Sequence, residues 1–426
     1  MPAPVPPSPP PTPADVEDHP SEEAVSGPGH RLRITLLMAG SCLPILGAVL
    51  IAPVLPQMQD HFADVAGVDV LVPMALTVPA LSLALLAPFA GVIVDKVGRK
   101  RLLVIATVLY AILGTAPLWL DSLGAIVASR ALVGVVEAAI MTCCTTLIAD
   151  YYSGRQRDRY LALQTMCAAI SATGFLLLGG AAGSAGWRTP FWAYAVALLL
   201  APAMAAFLPK PGSADRTDES ATTEVPVKRP FPWRPLAGTC ALTLFGAVLF
   251  YSVQVELSFL LDDMSVTDSG VIGLAIAICN AAVVIGAVVF TKSGRTQQAW
   301  LPLAFGLCAL GLGLIWVAPN AVVLTIGGVI NLFGGGIMLP SLLTLAMSKL
   351  DYADRGRGTG LWTGFFFLGQ FICPLVVLAV TPAVGSTANA MGVLAAAAAV
   401  GAAGLAHSAR LRRSAASAEP IEQLAG

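Results

Sequence analysis

Charge is what this chain has least of. Only 12% of its 426 residues are charged and 56% are hydrophobic, with a mean hydropathy of +0.78. Soluble domains carry about 25% charged residues, so a string of soluble domains is excluded. Histidine is scarce too: the four (His19, His30, His61, His407) all fall near the ends of apolar runs or outside them, which argues against a histidine proton relay. No H-E-x-x-H and no G-x-S-x-G occurs, so neither a zinc hydrolase nor a serine nucleophile elbow is expected. No G-x-x-x-x-G-K-[ST] occurs, so no ATP-driven step is expected. The eight cysteines sit inside apolar text without metal-ligand spacing and read as small buried side chains. The opening residues 1–30 are Pro-rich with no apolar core, so they read as an extended tail rather than a signal peptide. The net charge of −1 gives no basis for nucleic-acid binding.

What remains is long hydrophobic runs. Twelve stretches of about 20 apolar residues, each long enough to cross a bilayer, fall near 32–56, 69–91, 102–120, 123–149, 160–183, 188–208, 236–260, 270–291, 298–317, 320–348, 358–380 and 386–407. Their connections are short except for 209–235, a polar, Pro-rich linker that separates six spans from six. The predicted architecture is an all-α integral membrane protein. A tail at 1–30 precedes a six-helix bundle at 31–208, and the 209–235 linker leads to a second bundle at 236–407 and a tail at 408–426. Placing the amino terminus inside puts 22 of the 24 Lys and Arg residues on the cytoplasmic side. The exceptions are Arg130, within a span, and Arg188. By the positive-inside rule both termini are cytoplasmic, in the plasma (inner) membrane.

The two halves repeat one another. Shifted by about 196 residues, Gly91-x-x-x-Asp95-Lys96-x-Gly98-Arg99 lies over Ala287-x-x-x-Thr291-Lys292-x-Gly294-Arg295; shifted by about 200, Tyr152-x-x-Arg155-x-Arg157 lies over Tyr352-x-x-Arg355-x-Arg357. Parallel six-helix repeats are one of the large transporter architectures, with the substrate site near the membrane midplane.

Three motifs carry a family resemblance. Gly91-x-x-x-Asp95-Lys96-x-Gly98-Arg99-Lys100 resembles the signature loop of the major facilitator superfamily between its second and third helices. Arg130-x-x-x-Gly134-x-x-Glu137-Ala138 resembles its fourth-helix motif. Gly179-Gly180-x-x-Gly183, followed by Gly186-Trp187-Arg188, resembles the end of the fifth helix in the twelve-helix drug:proton antiporter branch, with Gly180 where that branch usually has proline. The resemblance covers about 31–407. It implies a secondary active transporter working by alternating access, with a small molecule and protons as its partners, the proton gradient as its energy source, and no cofactor. Proton-coupled efflux of an amphipathic or cationic compound is the leading expectation. Uptake of a metabolite by symport is the alternative, and a non-transporting receptor on the same fold a remote one. The family's members also work as monomers, which is the expectation here.

Within that frame each candidate residue has two readings. The loop of Gly91, Asp95, Lys96, Gly98, Arg99 and Lys100 is either a conformational latch, as the resemblance implies, or a basic loop that only fixes topology. Glu137 and Glu256 are the acids well inside spans, where a charge costs at least about 2.5–3.5 kcal/mol. Glu137, with Arg130 on the same helix face, is a proton-coupling candidate or a structural partner; Glu256 couples protons, binds a cation, or meets water at the outer mouth. Gln164, Gln254, Asn280, Asn331 and Gln370 either line the cavity or join helices, and Trp362 presents an aromatic face to an amphipathic ligand or packs.

Overall fold

The computed structural model describes residues 28–87, 89, 94, 96–209, 233–351 and 354–422, with the backbone alone at 28, 297, 298 and 412–422. All regular structure among the described residues is helical, and twelve segments are long and apolar enough to span a membrane. Residues 1–27 of the expected 1–30 tail, most of the linker, Gly91, Asp95 and Tyr352 lie outside the described residues, and residues 28–30 already belong to the first helix.

The first span comprises α1 (Pro28–Val49), a 3₁₀ turn at Ala52–Val54 and α2 (Leu55–His61). It was expected as one run to residue 56; the break follows from Pro53 and Pro56, which withhold the N–H groups that a continuous helix needs. Then come α3 (Val68–Leu86), α4 (Arg99–Thr115), α5 (Leu123–Tyr151) and α6 (Gly154–Gly183). The sixth span is a 3₁₀ segment, Thr189–Ala195, running into α7 (Val196–Phe207). The second six are α8 (Trp233–Asp263), α9 (Ser269–Lys292), α10 (Gln297–Trp316), α11 (Ala321–Met347), α12 (Arg355–Val384) and α13 (Thr387–Glu422). The last helix outruns its apolar stretch, continuing past residue 407 through an alanine- and arginine-rich sequence of good helix formers.

Helix ends follow local chemistry. Asp268 and Asn320 cap α9 and α11, their side chains accepting from the backbone N–H of Val271 (2.9 Å) and Val323 (3.0 Å). Gly98 (φ 89°) and Gly294 (φ 62°), which the repeat places in register, both adopt the left-handed conformation that glycine alone takes without strain.

The spans alternate in direction, so Lys96, Arg99, Arg155, Lys292, Lys349 and Arg355 gather at one end of the molecule and Asp60, Asp69, Asp121, Asp262 and Asp268 at the other. These are called the basic and acidic ends below. Contacts within the first six spans centre on α5, which packs on α1, α3 and α4; within the second six, α11 packs on α8, α9 and α10. Two seams join the sets: α6 against α9, and α3 against α12.

The seams close at opposite ends. At the acidic end of α6–α9, backbones touch. A Cβ on Gly180 would stand 2.6 Å from the Ser269 carbonyl oxygen and 2.9 Å from the Gly273 Cα, closer than any real side chain comes. At the basic end of α3–α12, the Gly360 and Gly364 positions lie against the carbonyl oxygens of Ala87 and Ala84, 3.6 and 3.3 Å from a Cβ built there. Small residues allow this approach in a solvent that gives apolar helices no reason to associate. The cysteines add no covalent tie. All eight are free, six of them buried as expected and Cys42 and Cys167 half-buried.

Gly180→Val should force the α6–α9 seam apart and cost about 1–3 kcal/mol, read as a lowered unfolding midpoint of the detergent-solubilised protein. Gly174→Ala, one and a half turns away with open space around it, should leave that midpoint nearly unchanged.

Candidate functional site

Both intramembrane acids are buried, in different places. Arg130 and Glu137 lie on α5, inside the first six spans, with relative exposures of 0% and 1%. All three nitrogens of the Arg130 guanidinium donate: Nε to the Ala75 carbonyl of α3 (3.1 Å), Nη1 to the Tyr194 hydroxyl (2.6 Å) and Nη2 to the Gly47 carbonyl of α1 (2.6 Å). It also lies 5.3 Å from the centre of the Tyr194 ring. Tyr110 of α4 stacks obliquely on Tyr194 (5.1 Å) and donates to the Leu43 carbonyl (2.6 Å). One cation thus fastens α5 to α1, α3 and the 3₁₀ segment before α7. It does so by pairing main-chain carbonyls that would otherwise serve only their own helices.

Glu137, two turns along, is the opposite case. Neither carboxyl oxygen has a hydrogen-bond partner among the described residues. Its side chain fills the space that a side chain at position 47 would need, so Gly47 is required where the carboxyl meets α1. Arg130 and Glu137 make no ion pair, although each feels the other's charge. The two side chains belong to a packed cluster, and neither lines either of the two cavities described below.

Glu256 sits in the acidic-end part of α8, 6% exposed, at the wall of a cavity of about 330 Å³ between α2, α3, α8 and α12. Two residues earlier, Gln254 points elsewhere, as helical geometry requires. With Tyr251, Gln370 and Ala52 it borders a second, central cavity of about 10 Å³, room for one water. Gln254 Nε2 donates to Asn280 Oδ1 (3.4 Å), and Asn280 Nδ2 donates to Thr173 Oγ1 (3.2 Å), a polar chain that crosses from α8 through α9 to α6.

The other candidates separate by role. Gln164 joins helices: its amide donates to Ser41 (2.8 Å) and Thr145 (3.1 Å). Asn331 is buried between α11 and α10, where its amide donates to the Cys308 carbonyl (3.4 Å), away from both cavities. Trp362 stacks on Phe366 (5.7 Å, planes 2° apart), which meets Tyr251 at 5.4 Å; its buried indole N–H has no acceptor among the described residues. In the signature loop, Lys96 is exposed, Gly98 precedes α4, Lys100 is half-buried, and Arg99 pairs with Asp150 at the end of α5. Three basic residues open α4 against its own dipole, and Asp150 offsets one of them. The equivalent Arg295 instead lies 5.6 Å from the Trp300 ring centre.

Tyr110 and Tyr194, which hold the cluster together, were not singled out from sequence. A tyrosine in the middle of an apolar run is the signal that marks each, since its hydroxyl needs a partner in lipid.

Comparison with known proteins decides the family. The model of the Major Facilitator Superfamily matches residues 37–374. The chain belongs to that family. Among similar proteins, the Escherichia coli "Tetracycline resistance protein, class C" is 26% identical, over 84% of this chain and 92% of that protein. The Staphylococcus aureus "Quinolone resistance protein NorA" is 25% identical over 81% and 88%. The Escherichia coli "3-(3-hydroxy-phenyl)propionate transporter" is 27% identical over 82% and 86%. Solved structures agree on the fold. A bacterial homologue of the human lysosomal transporter Spinster, in an inward-facing and occupied conformation, superposes with a TM-score of 0.71 at 16% identity, covering 90% of this chain and 97% of that one. The D-xylose-proton symporter does so with 0.67 at 13%, covering 88% and 97%. The protein is a multi-pass membrane transporter of the Major Facilitator Superfamily and not an enzyme.

Tyr194→Phe removes the acceptor at Arg130 Nη1 and should cost about 1–3 kcal/mol, read as a lower unfolding midpoint. Gly47→Ala should be destabilising in the native background and largely tolerated beside Glu137→Ala. A double-mutant cycle should return a coupling of about 1–3 kcal/mol.

Proposed function

We propose that this transporter couples export of an amphipathic or cationic small molecule to the entry of protons, with Glu137 carrying the proton. The observation behind this reading is the pairing on α5 of a carboxyl with no hydrogen-bond partner and an arginine whose three nitrogens each donate elsewhere, to α1, α3 and Tyr194. An ionised carboxylate buried without partners costs several kcal/mol, and binding a proton removes that charge. When the proton leaves, the carboxylate competes for the Arg130 guanidinium with the Gly47 carbonyl and the Tyr194 hydroxyl. The fastening of α1 to α5 then changes with proton occupancy. α1 leads directly to the central cavity, which Ala48, Val49 and Ala52 border, so a shift of α1 alters the space available to cargo.

In this reading 31–208 and 236–407 rock as two bodies about the central cavity, the basic end faces the cytoplasm of an inner membrane, and a single copy suffices because the path lies within one chain. The loop from Gly91 to Lys100 latches the basic end, with the Arg99–Asp150 pair as its described part. Trp362, with its stacked neighbour Phe366, offers cargo an aromatic face and an unused N–H donor. Gln254, Asn280 and Gln370 are the polar contacts nearest the centre. The drug-resistance proteins among the relatives support export. The phenylpropionate transporter supports the second reading, proton-linked uptake of a metabolite.

Everted vesicles that hold the protein and an acid interior test the proposal with a pH-sensitive dye. Adding an exported cation should release protons, and Glu137→Gln should abolish the release while leaving the amount of folded protein unchanged. Release that survives the substitution overturns the assignment to Glu137. Proton-driven accumulation in intact cells, with no release in everted vesicles, overturns export in favour of uptake.

A further inference from the structure

The cavity at the acidic end is unlike the rest of the molecule. Among the described residues, five carboxyl groups border it (Asp60, Asp69, Glu256, Asp262 and Asp263), and no lysine, arginine or histidine does. Four of the five are ordinary rim acids: Asp60, Asp69 and Asp263 are exposed, Asp262 is half-buried, and Asp69 accepts a hydrogen bond from Gln59 (3.0 Å). Such a ring by itself would only be a solvated surface. Glu256 makes it more than that. It is 94% buried by its 6% exposure, it borders the cavity, and it forms no hydrogen bond or ion pair with any described residue. A buried carboxyl without a partner is either neutralised by a proton or paired by a cation, and the cavity is where a cation can reach it.

The α12 lining carries no acid, and apolar side chains stand among the acids of α3 and α8. Pro73 of α3, Phe259 of α8, and Pro374 and Val377 of α12 face the same space. No group of three acids or other ligands among the described residues is placed to hold a metal ion. A hard divalent cation wants six or more converging oxygens, whereas here the carboxylates come from α2, α3 and α8 and α12 contributes Pro374, Val377, Leu378 and Thr381. That split matches a cation with an apolar body. Its charged head sits over Glu256, its hydrocarbon lies along the α12 wall, and the Phe259 ring is available for a cation–π contact. The volume, about 330 Å³, lies at the lower end of the range for small-molecule sites. The rim acids concentrate cations at the mouth, since a cleft with low-dielectric walls and charges of one sign focuses the field.

We infer that the acidic-end cavity is a binding site for small organic ammonium ions, with Glu256 as the counter-ion of the head group and the Pro374–Val377 wall as the seat of its apolar part. It rests on the proposed function only for its place on the cargo's route. The site binds cations whether or not protons drive transport, so its test does not use transport.

The experiment is equilibrium binding of tritiated benzyltrimethylammonium to the full chain in nanodiscs of neutral lipid. Wild-type protein should bind saturably, and the neutral isostere neopentylbenzene should compete at least tenfold more weakly than unlabelled ligand. Glu256→Gln should weaken binding at least tenfold. The double variant Asp262→Asn/Asp263→Asn should weaken it about threefold and flatten its dependence on salt. Val377→Trp, which keeps every carboxylate and fills the apolar seat, should also weaken binding at least tenfold. Each variant is read only with an unfolding midpoint within a few degrees of wild type. Unchanged affinity in Glu256→Gln, equal competition by the neutral isostere, or displacement by micromolar Ca²⁺ would each overturn the proposal, the last by making this an inorganic cation site. Loss of proton release in vesicles with this binding intact counts against the coupling reading alone.

Discussion

Apolar helices in an apolar solvent gain nothing by hiding from it, so whatever holds this molecule together must come from contact at short range. Every backbone group in a span is already paired within its own helix. That leaves dispersion between closely approached backbones and a few polar ties. Both are concentrated here at positions without a side chain. Gly180 and Gly273 bring α6 onto α9, Gly134 brings α5 onto Pro79 of α3, and Gly311 and Gly327 bring α10 onto α11. At Gly47, α1 leaves room for the Glu137 carboxyl group, and its carbonyl accepts a hydrogen bond from the Arg130 guanidinium. Contacts of this kind cannot deform gradually, because backbone does not compress. They hold or they part, and such bistability is what a rocking transporter requires.

The two halves use this scheme with different emphasis. In the first, Arg130 gathers three neighbouring elements around one buried cation. In the second, the fourth helix carries Asn331, whose amide reaches only the adjacent α10. The first half is therefore cross-braced at its fourth helix by a buried charge, and the second at the same place by packing and a neutral amide. In the proposed cycle a proton acts on the first half through its bracing, whereas Glu256 of the second half borders the acidic-end cavity.

The fold was legible in the sequence because membrane spans announce themselves by length, and basic loops by side. Sequence periodicity could also pair Gly98 with Gly294, since each glycine is flanked by the same Lys and Arg. The candidate site was legible only as a list of polar residues in the wrong solvent. Glu137 and Arg130 were found that way, but their surroundings were not. Tyr110 and Tyr194 come from other helices, and no local pattern reveals that α4 and the 3₁₀ segment before α7 bring their hydroxyls to α5. Gln164 and Asn331 looked as suited to a cavity as Gln254 and Gln370. Their separation depends on which face of each helix looks toward the seam, and a helix apolar all round does not display that face. The break at Pro53 was visible as a proline and invisible as a change of helix type.

One divergence between the repeats bears on how the molecule senses its surroundings. At the basic end the first repeat anchors its loop through Arg99 and Asp150, an ion pair partly open to water, while the second sets Arg295 over the face of Trp300. Mobile ions screen the first kind of contact within about a Debye length and weaken the second far less. Potassium and other small ions in the compartment that this end faces therefore loosen one side of the molecule and spare the other. The two repeats thus present different contacts to the same solution, one sensitive to its ionic strength and the other much less so.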